Sequence, residues 1–261
     1  MRSLLDGITP DDIRHDPYPH VFVPNILDDE TARALGDGFP PFSMIGWESG
    51  RPPPSNHRYQ LSASLIMRHD AISATWKEFA ALHSSPAFYE QVVTLFQDYW
   101  PDALKTALGG SLRGHSMGRI LQDEFSQCRI LQDARVEINT PVTKEASSSR
   151  GPHLDTMNRM FTCLYYLRAD DDDAIGGDLE LFRWKNGPVA DIDTYQLPAD
   201  SVEVVKTIPY RANQMVIFPQ GINALHGVGI RHPTPHTRRY VFISAEIADP
   251  WLVSPTPSPW L

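Results

Sequence analysis

The sequence predicts a mainly β protein with packed helices (α+β), in which a jelly-roll or barrel fills the carboxy-terminal half and a helical first half packs outside it. Three observations carry this prediction. Eight short strand signals, each bounded by turn-forming residues, fall within roughly 115 residues after residue 130. Between Ile72 and Leu108 the apolar residues recur instead at helical spacing. Proline is frequent, 23 of 261 residues against roughly 5% in ordinary proteins, which disfavours long helices and favours short elements joined by turns.

In chain order, Val21-Phe22-Val23-Pro24 reads as a short strand that proline ends. Asp28-Asp29-Glu30-Thr31 starts an amphipathic helix through Leu35, its acidic residues in the first turn where the helix dipole favours them. Residues 40–62, with Pro52-Pro53-Pro54 at their centre, read as loop. Trp76, Phe79, Leu82, Phe88, Val92, Val93, Phe96 and Trp100 mark two or three helices punctuated by Pro86 and Pro101. Ala134–Asn139 alternates apolar with polar, as a half-buried strand does. Further strands are expected at Phe161–Leu167, Asp178–Trp184, Val202–Ile208, Gln214–Phe218, Leu225–Val228 and Arg239–Glu246, with one more around His153 and a hairpin turn at Gly176-Gly177. The organisation expected is one domain over 1–261: a mixed region 1–130, a β core 131–248 and a proline-rich tail 249–261.

Composition narrows the function. Hydrophobic residues at 41% and charged residues at 21% permit a sizeable core. The formal net charge of −9 is the opposite of what tracking a phosphate backbone requires, so nucleic acid is not an expected partner. Met1–Gly7 lacks the apolar stretch of a signal peptide, and no apolar run approaches the ~18 residues of a membrane span. Cys128 and Cys163 are too few for a disulfide framework or a thiolate zinc site. A cytoplasmic protein with no membrane partner is expected.

His153-Leu154-Asp155 is the most informative tripeptide. On a strand, positions i and i+2 share a face, so the imidazole and the carboxylate converge. His226, on a late strand, supplies a third ligand; two His and one carboxylate form a facial triad that leaves open positions on non-haem Fe(II). Arg239 opens the last strand signal, where a buried guanidinium can clamp a carboxylate. The order His153-x-Asp155, His226, Arg239 stands together with Arg150-Gly151-Pro152, Phe161–Leu167, Gly176-Gly177-Asp178–Phe182 and Thr237-Arg238-Arg239-Tyr240. In these motifs, residues 134–248 resemble the Fe(II)/2-oxoglutarate-dependent oxygenase family on its prolyl-hydroxylase-like branch. Asp16-Pro17-Tyr18-Pro19-His20 is a weaker echo toward the amino terminus.

The resemblance implies a double-stranded β-helix core (jelly-roll, cupin-like). It also implies that His153, Asp155 and His226 hold Fe(II), and that 2-oxoglutarate and O2 serve as co-substrates with ascorbate in support. Arg239 would bind the distal carboxylate of 2-oxoglutarate, with Arg238 competing for that role and Tyr166 as its tyrosine partner. The family's tyrosine on the strand before His153 has no match; Asn139 or Arg135 stands in its place. The position two residues after Arg239, often Ser in relatives, is Val241. Arg135, Arg159 and Tyr165 are candidate substrate contacts. The activity implied is hydroxylation of an unactivated C–H bond of a small molecule, an amino acid or biosynthetic intermediate, with release of succinate and CO2. Retention of Asp155 disfavours halogenation, whereas desaturation, ring closure and epimerisation use the same triad. The alternatives are a peptidyl, prolyl-type hydroxylase and a non-redox cupin-like metal- or sugar-binding protein or isomerase, for which Arg239 has no general use.

Overall fold

The computed structural model describes residues 1–46 and 52–254. Residues 47–51 of the expected loop and 255–261 of the expected tail lie outside them. The first half holds a strand β1 (Val21–Pro24), helices α1 (Asp29–Asp37) and α2 (Phe42–Ile45), a strand β2 (Arg58–Leu61), and helices α3 (Ala63–Arg68), α4 (Ala74–His83), α5 (Pro86–Leu95) and α6 (Asp102–Ala107). The second half holds β3 (Met117–Arg119), β4 (Ile130–Asn139), β5 (Arg159–Tyr166), β6 (Leu179–Trp184), β7 (Val202–Ile208), β8 (Gln214–Pro219), β9 (His226–Val228) and β10 (Arg238–Ile247). No helix among the described residues is long and apolar enough to cross a membrane.

Local chemistry starts the helices where it should. The Asp28 carboxylate accepts from the Thr31 amide at 2.8 Å ahead of α1, and Ser73 and Ser85 cap α4 and α5 in the same way. Pro86 occupies the first turn of α5, where its missing N–H is not needed. The proline excess thus delimits helices rather than breaking them. The span read as loop at 40–62 contains α2 and β2, whose four residues each are too few to show a period. Gly176-Gly177 is not a hairpin turn: both have positive φ, and Gly176 forms a bridge with Arg231. A Cβ at Gly176 would meet the Ile230 carbonyl oxygen at 1.9 Å. The start of the expected tail is also docked, since Trp251 and Leu252 are buried and their amides donate to the Met157 carbonyl.

The strands form the two sheets of a jelly roll. The larger runs β1-β8-β5-β10-β4-β2, with β3 beside β4; the smaller runs β7-β6-β9 and is extended by an antiparallel bridge from His153 to His226. Along β10 the register sets Arg238 opposite Asn139, Tyr240 opposite Glu137, Phe242 opposite Arg135 and Ser244 opposite Asp133. On its other edge, Tyr240 faces Tyr166, Phe242 faces Leu164 and Ser244 faces Thr162. These residues share one face, which looks toward the smaller sheet. The opposite face carries Val136, Ile138, Val241, Ile243, Cys163 and Tyr165 and packs on the helices, with Phe79 5.7 Å from Tyr165 and Phe88 6.5 Å from Phe161.

β4 therefore departs from the expected half-buried strand. All ten of its residues are buried, because its polar face lines the barrel interior and its apolar face meets the helices. The helix layer is the larger apolar investment: Trp76, Phe79, Phe88 and Phe96 have no exposure at all. Phe79→Ala should lower the unfolding free energy by about 3–5 kcal/mol, read as a fall in denaturant midpoint at constant slope. A loss below 1 kcal/mol would show that this layer is not the core.

Candidate active site

The two triad histidines are positioned by the backbone before their side chains act. His153 and His226 exchange amide–carbonyl hydrogen bonds of 2.9 and 3.1 Å, which places their rings 4.3 Å apart at the junction between sheets. Each ring then donates from Nδ1 to a nearby carbonyl, His153 to Gly151 at 2.8 Å and His226 to Ala224 at 3.1 Å. Only an N–H can make that contact, so Nε2 keeps its lone pair and faces inward. Burial lowers the pKa of both imidazoles, which favours the neutral, ligating form.

Asp155 completes the cluster. Its carboxylate oxygens lie 3.9 Å from His153 Nε2 and 3.7 Å from His226 Nε2, and one ligand atom from each residue falls within 4.8 Å of the others. Burial pushes the Asp155 pKa up, but the Arg159 guanidinium foremost, with the Thr162 hydroxyl, works against it, and the carboxyl is held well below its ordinary range. Thr162 donates to one carboxylate oxygen. Two neutral imidazole nitrogens and one ionised carboxylate, each residue about 5% exposed or less, are a donor set that fits Fe(II).

A second cluster occupies one end of the same inner face, across β4, β10 and β5. Arg238 is 2% exposed; its guanidinium carbon lies 5.0, 4.9 and 4.8 Å from the ring centres of Tyr166, Tyr210 and Tyr240. Its Nε donates to the Gly177 carbonyl at 2.8 Å, which explains the positive-φ glycine pair: the turn delivers that carbonyl to the arginine. Beside it, the Tyr166 hydroxyl and Asn139 Nδ2 are buried with no hydrogen-bond partner among the described residues. A guanidinium and two unmet donors converging in a buried place fit a bound carboxylate.

The structure sorts the residues named from the sequence. His153, Asp155 and His226 come together, as do Arg238, Tyr166 and Asn139. Arg239, expected to reach into the barrel, points the other way: it lies on the helix-side face with its guanidinium carbon 5.1 Å from the Phe39 ring centre. Tyr165 also faces the helices, as alternation from an inward Tyr166 requires. Arg135 is inside but tied to Glu137 at 2.5 Å and Asp133 at 3.9 Å, a pairing that leaves little of it for a substrate. Arg159 is inside and near the triad. Sequence reasoning missed Tyr210, Gly177 and Thr162 as supports, and Arg150, whose Nη1 lies 3.8 Å from Asp155. For Thr162 a signal existed, since it shares the two-residue period of Tyr166.

Residues 142–244 match the family model described as the 2OG-Fe(II) oxygenase superfamily. No curated protein matches the chain at a significant level. Among solved structures, a prolyl 4-hydroxylase from Phytophthora capsici is similar with a TM-score of 0.51 at 15% identity, over 94% of this chain and 64% of its own. The chain thus spans just under two thirds of that protein's length, and the likeness is one of fold. A prolyl-4-hydroxylase from Pseudomonas putida gives a TM-score of 0.46 at 12% identity over 93% of this chain and 99% of its own. The non-heme alpha ketoglutarate dependent epimerase SnoN from nogalamycin biosynthesis gives 0.48 at 12% identity over 88% and 78%. The match to the 2OG-Fe(II) oxygenase superfamily over residues 142–244 thus coincides with the part of the jelly roll that carries a two-histidine, one-carboxylate triad fit for iron, and this segment reads as a 2OG-Fe(II) oxygenase domain.

Proposed function

We propose that this dioxygenase hydroxylates an unactivated C–H bond of a small molecule, with His153, Asp155 and His226 holding the iron and Arg238 holding the distal carboxylate of 2-oxoglutarate. The observation that carries the reading is the pairing of the triad with a second buried cluster of unmet donors on the same inner face. Bound Fe(II) with 2-oxoglutarate and O2 supplies the oxidising chemistry, releasing succinate and CO2. The chain supplies position. Arg238 offers a planar, charge-assisted clamp whose plane is set by three tyrosine rings and the Gly177 carbonyl. Tyr166 and Asn139 donate the remaining hydrogen bonds, so a dicarboxylate of the right length is held in one register against the triad.

The recess of the triad, whose side chains are about 5% exposed, supports a substrate that presents a small group to the metal. The loop before His153 is held down from above: Gln196 accepts from the Gly151 amide at 3.1 Å, and the Tyr195 hydroxyl donates to the Ser149 carbonyl at 2.9 Å. The two cysteines are free thiols, which agrees with a reducing cytoplasm as the setting.

Two measurements test the assignment. Purified protein with Fe(II), ascorbate and 2-oxoglutarate should form succinate slowly even without the prime substrate, and His226→Ala or Asp155→Ala should reduce that rate by at least about 100-fold. Succinate formation at the wild-type rate in either variant overturns the triad. The two arginines are separated by titration: Arg238→Met should weaken 2-oxoglutarate binding to the Mn(II)-loaded protein by at least about 30-fold, while Arg239→Met should stay within about 2-fold. The reverse ranking would restore Arg239 as the anchor.

A further inference from the structure

Arg159 reaches the barrel interior because of one extra residue. Between β10 and β5, Ala245 faces Phe161, but the next residue, Glu246, faces Arg159, so Met160 is left over as a bulge. A bulge reverses the alternation and re-aims the side chain beyond it. Arg159 therefore joins Phe242 and Glu246 on the inner face instead of following Phe161 to the helices. Its guanidinium carbon lies 4.8 Å from the Phe242 ring centre, and its side chain keeps 8% of its exposure. Nε and Nη1 are buried with no hydrogen-bond partner among the described residues, and Nη2 approaches Glu246 Oε2 only to 3.6 Å. A desolvated guanidinium with unmet donors is costly in a folded protein unless an anion arrives to meet it.

Charge matching within the barrel leads to the same residue. Arg135 and Arg58 are matched by Asp133 and Glu137. On the dioxygenase reading, Arg238 meets the distal carboxylate of 2-oxoglutarate, and the iron meets Asp155 and the 2-oxo acid end. Arg159 is then left with the 3.6 Å approach to Glu246, outside hydrogen-bond distance, and two of its nitrogens stay unmet among the described residues. Arg150 sits at the rim, its guanidinium carbon 5.0 Å from the ring centre of the exposed Tyr195, where it attracts anions on approach.

We propose that Arg159 receives a carboxylate of the prime substrate, which is therefore a small carboxylic acid oriented by its anionic end beside the metal. The proposal rests on the dioxygenase reading above and deepens it. Stacking on Phe242 fixes the plane of the guanidinium, so a planar carboxylate is bound in one orientation, and the C–H bond presented to the metal is set by its distance from that group. An uncharged analogue leaves the buried donors unmet and is rejected.

The test uses the full chain loaded with Mn(II) and N-oxalylglycine, an unreactive mimic of 2-oxoglutarate, followed by thermal denaturation. Acetate, benzoate and phenylacetate are compared with acetamide, benzamide and phenylacetamide. At least one carboxylate, near ten times its Kd, should raise the wild-type Tm by about 2–4 °C while its amide does not. Arg159→Gln should abolish that shift and still be protected by N-oxalylglycine, an outcome that a purely structural arginine would not produce. An undiminished shift in Arg159→Gln, or a wild type that does not distinguish any acid from its amide, overturns the proposal. Failure of N-oxalylglycine to protect the Mn(II)-loaded wild type overturns the dioxygenase reading instead. Should Arg159→Gln not fold, Glu246→Gln decides: removing the competing carboxylate should tighten binding of the same acid roughly 2- to 5-fold, and unchanged or weaker binding overturns the proposal.

Discussion

Inside the barrel, the Glu137 carboxylate accepts from the Tyr240 hydroxyl at 2.6 Å and from Arg135 Nε at 2.5 Å, with Arg58 at 3.8 Å. Burial pushes its pKa up, yet Arg135, Arg58 and Tyr240 together outweigh burial and keep it ionised. Three strands meet in that one group, since Glu137 lies on β4, Tyr240 opposite it on β10 and Gln60 opposite it on β2. Without it, the buried Arg135 would keep only the 3.9 Å approach to Asp133, a loss on the order of 3–5 kcal/mol. Both faces of β4, β5 and β10 are covered, so a charged residue on their inner face must be paired by another protein group or by a ligand.

That constraint lets the unpaired groups be interpreted. Asp133, Arg135, Glu137, Arg58 and Tyr240 satisfy one another and act as wall. Among the described residues, the buried atoms on this face that lack a partner include the Tyr166 hydroxyl, Asn139 Nδ2, two nitrogens of Arg159 and Ser244 Oγ. The Tyr166 hydroxyl and Asn139 Nδ2 flank Arg238 at one end of the inner face, and the Arg159 nitrogens lie on the side of Asp155. A wall that is neutral within itself also keeps the added charges of iron and co-substrate from being cancelled by the protein. The triad then sits between two cationic positions at opposite sides, one suited to a dicarboxylate's far end and one open to a second anion.

Much of this was legible in the sequence because strand alternation and ligand spacing are local. Val202–Ile208 and the triad are found where the pattern puts them. What failed was every inference that needed to know what covers a face. Ala134–Asn139 alternates just as an exposed-edge strand does, and only the closure of the jelly roll makes its polar side the interior. β2 was hidden for a different reason: Arg58–Leu61 follows three prolines and is ordered by pairing with β4, about eighty positions away in the chain. The bulge at Met160 has no sequence signal of its own, so Arg159 could be named a candidate contact but not placed.

The two adjacent arginines show how much a one-residue choice decides. Both Arg238 and Arg239 precede the same apolar run, and composition around them does not separate them. Parity does, once a single inner residue is known. Tyr166 and Tyr240 are register partners, so an inward Tyr166 makes Tyr240 inward, and two residues back along β10 the inward side chain is Arg238. The same step turns Arg239 outward onto Phe39. It also removes Tyr165 from any role at the metal, because Tyr165 and Tyr166 cannot share a face of a regular strand. The sequence already held this contradiction, for naming Tyr166 and Arg239 together asks the paired strands β5 and β10 to present opposite faces to one ligand. Pairing information, rather than better propensities, is what resolves it.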